Sequence, residues 1–458
     1  MGTRCKFTNK GWKEKAINRS RELTRTKQEL KRQKARANKW RRNYYGLKKE
    51  NTPTQVKGHK YPLELIWMAV LMHINFNVSL RGVSQSMVKL GELYGLTTKY
   101  ISHMTIRNWC LKFGLYCLLS PINSGKYVLI IDESVEIGRE RLLLLLVIPV
   151  EYYSPIVALR MEDVKVLDLG VQQSWTATQV AQKIKQKTEM HGLEISYGIS
   201  DKCSKLRRAM RECGLKWIGD CTHEMANVSK AIFKKDVLAN AFIIKMNLLR
   251  RKWILSKHTL LVPPELRTKN RFHQMFIIHK WAEQILSEWG SICESAKEEL
   301  FFVQEGKPLI KVMRQCYDLI EVFSSIFKAK GIHNNSLEQW KETVKEYKEQ
   351  QPLSEQAELF IKKMDEYLNR QKANIPENIQ ILCCSDIIES TFGKYKNKGV
   401  KIITDDVLKI AAYSKKSSLG EVARAMQEIK IKDTLEWKQN NTTISKLALL
   451  KQKRKTAA

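Results

Sequence analysis

The chain lacks most of the features that would place it outside the cell or in a membrane. Its ten cysteines are scattered, and no two of them form a CxxC pair, which argues against a zinc knuckle or a dithiol redox motif. In a chain this long they read as reduced intracellular thiols. The longest apolar run, residues 142–150, is about half a membrane span and is expected to be a buried strand. The basic N-terminus has no apolar segment of the kind that marks a signal peptide. The expectation is a soluble protein with no membrane partner, cytoplasmic and nucleoid-associated, or nuclear if the host is eukaryotic. No GxxxxGK(S/T) loop occurs, so ATP use is not indicated, and there is no Gly-x-Ser-x-Gly nucleophile elbow. Acidic residues are also short: 47 against 80 Lys and Arg, a formal charge of +33. A surplus of that size calls for a polyanionic partner, with nucleic acid as the first candidate.

What is present is unevenly distributed. A length of 458 residues suggests about two to four domains. Residues 1–60 hold 20 Lys and Arg against four Glu, a net of +16. Within them, residues 12–49 contain no Pro and one Gly, Gly46, and can form a long basic helix. This reads either as an arm that orders on the DNA backbone, with Arg41 and Arg42 among its contacts, or as a solvated tail. A linker at 51–61 leads into a helical block that runs to residue 120. There Ser79 can cap a helix through Leu93, with Leu80, Val83, Met87, Leu90 and Leu93 on one face. After a break at 95–102, Thr105 opens a second helix carrying Arg107 and Lys112. Helix, turn and helix in this order suit DNA binding, and equally an ordinary helical bundle.

From residue 121 the texture becomes β. YVLIID (127–132), RLLLLLVIPV (141–150) and residues 155–169 read as three strands. A helix capped by Thr176 or Thr178 stops at Gly192. LEISYGISD (193–201) is a fourth strand, and LKWIGD (215–220) follows a short helix as the fifth. Strands interleaved with helices in this way define an α/β domain with a mixed sheet. Residues 226–379 are almost entirely helical, an all-α insertion. Ser385 opens a helix that returns to the core at 380–415, and further helices with a basic tail occupy 416–458.

Three acids matter because of their positions. Asp132 ends the first strand, Asp201 ends the fourth, and Glu389 lies in the first turns of the helix after the insertion. Neighbouring parallel strands deliver their C-terminal ends to one edge, where side chains face a cleft. Phosphodiester cleavage needs an activated nucleophile and neutralised charge at phosphorus. Two Mg²⁺ about 3.5–4 Å apart supply both, held by a few carboxylates. Asp220 also ends a strand and rivals Asp201. Asp386 rivals Glu389. Glu133 should point away from Asp132, since strand residues alternate faces. His223 is either part of this site or a locally bonded helix-start histidine.

The pattern of strand-Asp (VLIID), strand-Asp (ISYGISD), a DxxH motif at Asp220 and His223, an all-helical insertion and a late helical Glu resembles the DDE transposase superfamily. It is most similar to groups with a C/DxxH motif and an interrupted core, such as Mutator-like transposases. The resemblance covers residues 60–415. It implies an RNase H-like core (121–225 and 380–415) in which Asp132, Asp201 and Glu389 hold two Mg²⁺ or Mn²⁺ ions. Asp220 and His223 would support the site or position DNA. Transposon terminal inverted repeats and target DNA would be the partners, with a homo-oligomer when two ends are paired. Arg250, Arg251, Lys394 and Lys396 are expected to meet the phosphate backbone. Trp253, Trp281, Trp289 and Trp340 of the insertion are either core residues or platforms for an unstacked base.

Overall fold

In the computed structural model, the described residues are 56–94, 100–134, 140–150, 159–266, 275–373, 380–396, 403–415 and 417–441, with part of a helix between 18 and 38. Arg41 and Arg42 lie outside them. The chain divides into two units, Met1–Glu64 and Leu65–Ala458. The second contains the sheet and nearly all of the helices.

Three helices lead in: α1 (Leu63–Ile74), α2 (Leu80–Tyr94) and α3 (His103–Leu119). Ser79 Oγ accepts from Gly82 N at 3.0 Å at the start of α2. α3 starts two residues before Thr105, because Ser102 is its cap and accepts from Thr105 N at 3.1 Å. The sheet comprises β1 (Gly125–Ser134), β2 (Arg141–Pro149), β3 (Lys165–Gln172), β4 (Leu193–Ser200) and β5 (Trp217–Gly219), in the order β3-β2-β1-β4-β5. β1–β2 and β2–β3 are antiparallel, while β1–β4 and β4–β5 are parallel. The sheet is therefore open and mixed. Every residue of β2 from 142 to 148 is at most 1% exposed, as a strand covered on both faces requires. One face packs on α4 (Ala177–His191) and α5 (Ser204–Glu212). A Thr176–Gln179 capping box opens α4, and Gly192, at φ 62, closes it. β3 begins ten residues later than expected, because Arg160 N–H donates to Asp163 at 2.7 Å and closes a turn before it.

The helical segment contains α6 (Cys221–Phe233), α7 (Val237–Trp253), α8 (Met275–Ser287), α9 (Glu294–Glu305), α10 (Lys307–Lys330), α11 (Asn334–Gln350) and α12 (Glu355–Lys372). Trp253 and Trp340 are each 1% exposed and belong to its core. The chain then returns through an isolated bridge, Ile332↔Ile381, to α13 (Asp386–Lys396). A 3-10 helix (Asp405–Ala412), α14 (Leu419–Glu428) and α15 (Ile431–Asn440) complete the described fold.

All three of these last helices pack on α3, so α3 is a core element. Gly114 lets the chain approach closely: a Cβ there would lie 2.4 Å from Leu408 O. This corrects two expectations. Arg107 is turned inward onto Asp405 and Asp406, at 2.7 and 3.1 Å. Lys112 is 5% exposed and donates to Met426 O at 2.8 Å. Both side chains are taken up by contacts within the fold in this arrangement.

Candidate active site

Strand alternation sets the direction of the first acid. Leu129 and Ile131 of β1 join the cluster that contains Leu206 and Met210 of α5, so Ile130 and Asp132 face the other side. Glu133 faces α5, and its carboxylate pairs with Lys205 of that helix and with Arg141 at 3.4 Å. The parallel ladder last pairs Ile130 with Ile199. Asp132 and Asp201 each lie two residues beyond that pair, so both carboxylates arrive at the same sheet edge. Asp201 Oδ1 accepts from Cys203 N at 3.0 Å, which turns the chain into α5. Glu389 comes from α13, which packs on β1.

His223, in the first turn of α6, meets Glu389: Nε2 lies 3.1 Å from Oε1. The hydrogen bond that His223 donates to Glu389 raises the imidazole pKa to about 9 against the effect of burial, with Asp220 and Asp132 adding to the rise. Burial pushes the Asp132 carboxyl up to about 6. The Glu133 amide, at 2.7 Å from Oδ1, pulls it back, the charge of Asp201 raises it, His223 lowers it and Glu389 raises it. Asp132, Asp201, Glu389 and His223 thus form one electrostatic cluster. The three carboxylates are spread more widely than a single-ion cage. Among the described residues, the one group of three or more ligand atoms within 4.8 Å of one another is Asp220, Cys221 and Cys384.

Asp220 has a different task. It is 3% exposed and caps α6, with Oδ1 accepting from Thr222 N at 2.6 Å and His223 N at 3.4 Å. Oδ2 accepts from Ser385 N at 3.3 Å and from the Ser385 hydroxyl. Both oxygens therefore tie the β5–α6 turn to the segment that precedes α13. Asp386 is likewise engaged, by Thr222 at 2.8 Å and Lys328 at 2.8 Å. Burial pushes the Asp386 pKa up, but Lys328 holds it below the usual carboxylate value.

The other expected contacts divide. Lys394 is half-buried, over the Tyr413 ring at 4.5 Å from its centroid, and Lys396 is half-buried beside it in sequence. Arg250 donates to Pro263 O at 2.7 Å, whereas Arg251 is exposed. Trp281 donates to Leu261 O at 3.1 Å, and both it and Trp289 are half-buried. The sequence reading missed Glu224, which is 3% exposed between Lys202 at 2.6 Å and Arg370 at 3.1 Å. Its place one residue after the DxxH motif was the available signal, but its partners lie far away in the chain.

The raised Asp132 pKa carries a stability consequence. Its folded value lies above the unfolded one, so ionising Asp132 destabilises the metal-free fold as pH rises through about 6. Asp132→Asn is expected to stabilise the metal-free protein by about 1–3 kcal/mol at pH 7.5 and to be neutral near pH 4. Urea denaturation in a chelating buffer measures this. A variant no more stable than the parent at pH 7.5 would mean that burial does not penalise the ionised Asp132 carboxylate.

Comparison with protein-family models finds no match for this chain, and comparison with curated proteins finds none.

Proposed function

We propose that this chain is a DDE-type DNA transposase with an RNase H-like core, cutting DNA at transposon ends and joining the freed 3′ ends to target DNA. The observation that carries this reading is that Asp132 and Asp201 follow neighbouring parallel strands at one sheet edge, with Glu389 of α13, bonded to His223, close enough to act on the charge of Asp132. The sheet order, with three antiparallel strands followed by two parallel additions, supports an RNase H-like core. The donor set fits a pair of Mg²⁺ or Mn²⁺ ions: it consists of hard carboxylate oxygens. When bound, such ions activate the attacking oxygen and stabilise the leaving one.

The chain's own residues do the rest. Asp132 and Asp201 are fixed by their strand ends. His223 holds Glu389 toward them, and Asp220 holds the backbone that carries His223. Lys202, Lys363 and Arg370 line a cavity of about 310 Å³ between α6 and α12 together with Glu224 and Glu366, which pair with these cations.

The test uses purified full-length protein with Mg²⁺ on DNA bearing the inverted repeats that flank its gene. Strand breaks at the repeat ends and joined products in a second DNA are expected. Breaks without joining would reduce the reading to a metal-dependent nuclease, and no metal-dependent cleavage of any DNA would end it. The basic arm has its own test. Deleting residues 1–50 is expected to flatten the dependence of log affinity on log salt by about 0.9 for each lost phosphate contact. An unchanged slope would mean that the arm does not touch DNA.

A further inference from the structure

Asp220, Cys221 and Cys384 are all buried, and one ligand atom from each lies within 4.8 Å of the other two. They come from two segments far apart in sequence. Asp220 and Cys221 start α6, and Cys384 precedes α13. A backbone bond holds the segments together, with Cys221 N donating to Cys383 O at 2.8 Å, and Leu382 N anchors the second segment to β4 by donating to Tyr197 Oη at 2.9 Å. Cys383 brings a third thiol. It is hydrogen-bonded to Cys221 and donates to Phe327 O at 3.5 Å.

We propose that Asp220, Cys221 and Cys384 form a structural Zn²⁺ site, separate from the carboxylate centre, with Cys383 the nearest further sulfur. The spacing suits a tetrahedral ion: Zn–S bonds of about 2.3 Å put two sulfurs about 3.8 Å apart. The donor chemistry excludes Mg²⁺, since thiolates select softer metals. Asp220 already accepts four hydrogen bonds, so a metal would displace one of them, and those that remain are the orienting contacts that ligands of bound zinc usually have. Binding releases the two thiol protons to solvent and transfers no electrons. The ion would clamp the turn that carries His223 to the segment that leads to Glu389. It would therefore act as a positioning element for the proposed active site and take no part in its chemistry.

The test reads metal, so it is independent of DNA cleavage. Full-length protein from cells grown with added zinc is desalted through a weak chelator and assayed for zinc. About one zinc per chain is expected. Asp132→Asn should retain it, and Cys221→Ser and Cys384→Ser should each lose most of it. Because these variants can fail to fold, the unmutated protein is also loaded with Co²⁺, where thiolate-to-cobalt charge-transfer absorption is expected. A parent protein that holds no zinc and gives no such absorption would overturn the proposal. So would a folded Cys221→Ser variant with full zinc content, or a thiol assay showing Cys221 and Cys384 joined as a disulfide. Zinc binding without strand cleavage would leave this site standing and remove the transposase reading alone.

Discussion

Asp132→Asn, Asp201→Asn and Glu389→Gln are each expected to lower Mg²⁺-dependent strand cleavage by at least about 10³-fold, since about 4 kcal/mol of transition-state charge stabilisation is lost with a ligand. Each exchange removes a negative charge and keeps the shape of the side chain, so the strand ends and α13 stay in place. DNA affinity should therefore stay within about twofold, because it rests on cationic contacts that these exchanges do not touch. Gel-shift binding and denaturing-gel cleavage, run on the same preparations, separate the two effects. An active Asp201→Asn beside an inactive but well-folded Asp220→Asn would show that the second ligand is Asp220. Loss of binding in parallel with cleavage would point to misfolding and leave the assignment without support.

Asp220→Ala should behave differently, as a stability variant. The substitution removes the cap of α6 and leaves the buried Ser385 hydroxyl and three amide groups without their acceptor. Loss of a cap costs about 1 kcal/mol, and each buried donor left unpaired adds about 1–3 kcal/mol. A total of about 3–5 kcal/mol is a large part of the 5–15 kcal/mol typical of a folded protein. Urea denaturation should show that loss for Asp220→Ala and less than about 1 kcal/mol for Asp201→Asn, whose carboxylate is partly exposed and receives one local bond. A change below about 1 kcal/mol in Asp220→Ala would remove its role as the tie between the two core segments.

How far the sequence discloses this arrangement depends on the range of each interaction. The strands at 127–132 and 141–150 were legible because burial on both faces demands unbroken apolar runs. The stop at Gly192 was legible because a left-handed residue favours glycine. The positions of Asp132 and Asp201 followed from parallel strands ending together. The fates of Arg107 and Lys112 were not legible. Nothing within ten residues of Arg107 indicates that Asp405 and Asp406 will meet it. An amphipathic helix with scattered cations looks the same whether it faces DNA or lies beneath three later helices. The division of labour between Asp201 and Asp220 was also hidden. Both acids end strands and both precede helices, and only the distant Ser385 separates the buried cap from the exposed edge. Glu224 was missed for the same reason, since its partner Arg370 belongs to the end of the helical segment.

The dependence of α3 on the end of the chain has a consequence for how the protein is made. The partners of Arg107 and Lys112 follow them by 298 and 314 residues. At the usual 5–20 residues per second, the ribosome needs about 15–60 s to deliver them. Throughout that interval the nascent chain carries an apolar helix with an uncovered flank, beside a sheet whose outer layer has not been synthesised. Shielding of that flank during translation would favour correct folding of the growing polypeptide. A product truncated before residue 400 lacks the partners of Arg107 and Lys112 and is expected to be more readily cleaved than the full chain in limited proteolysis.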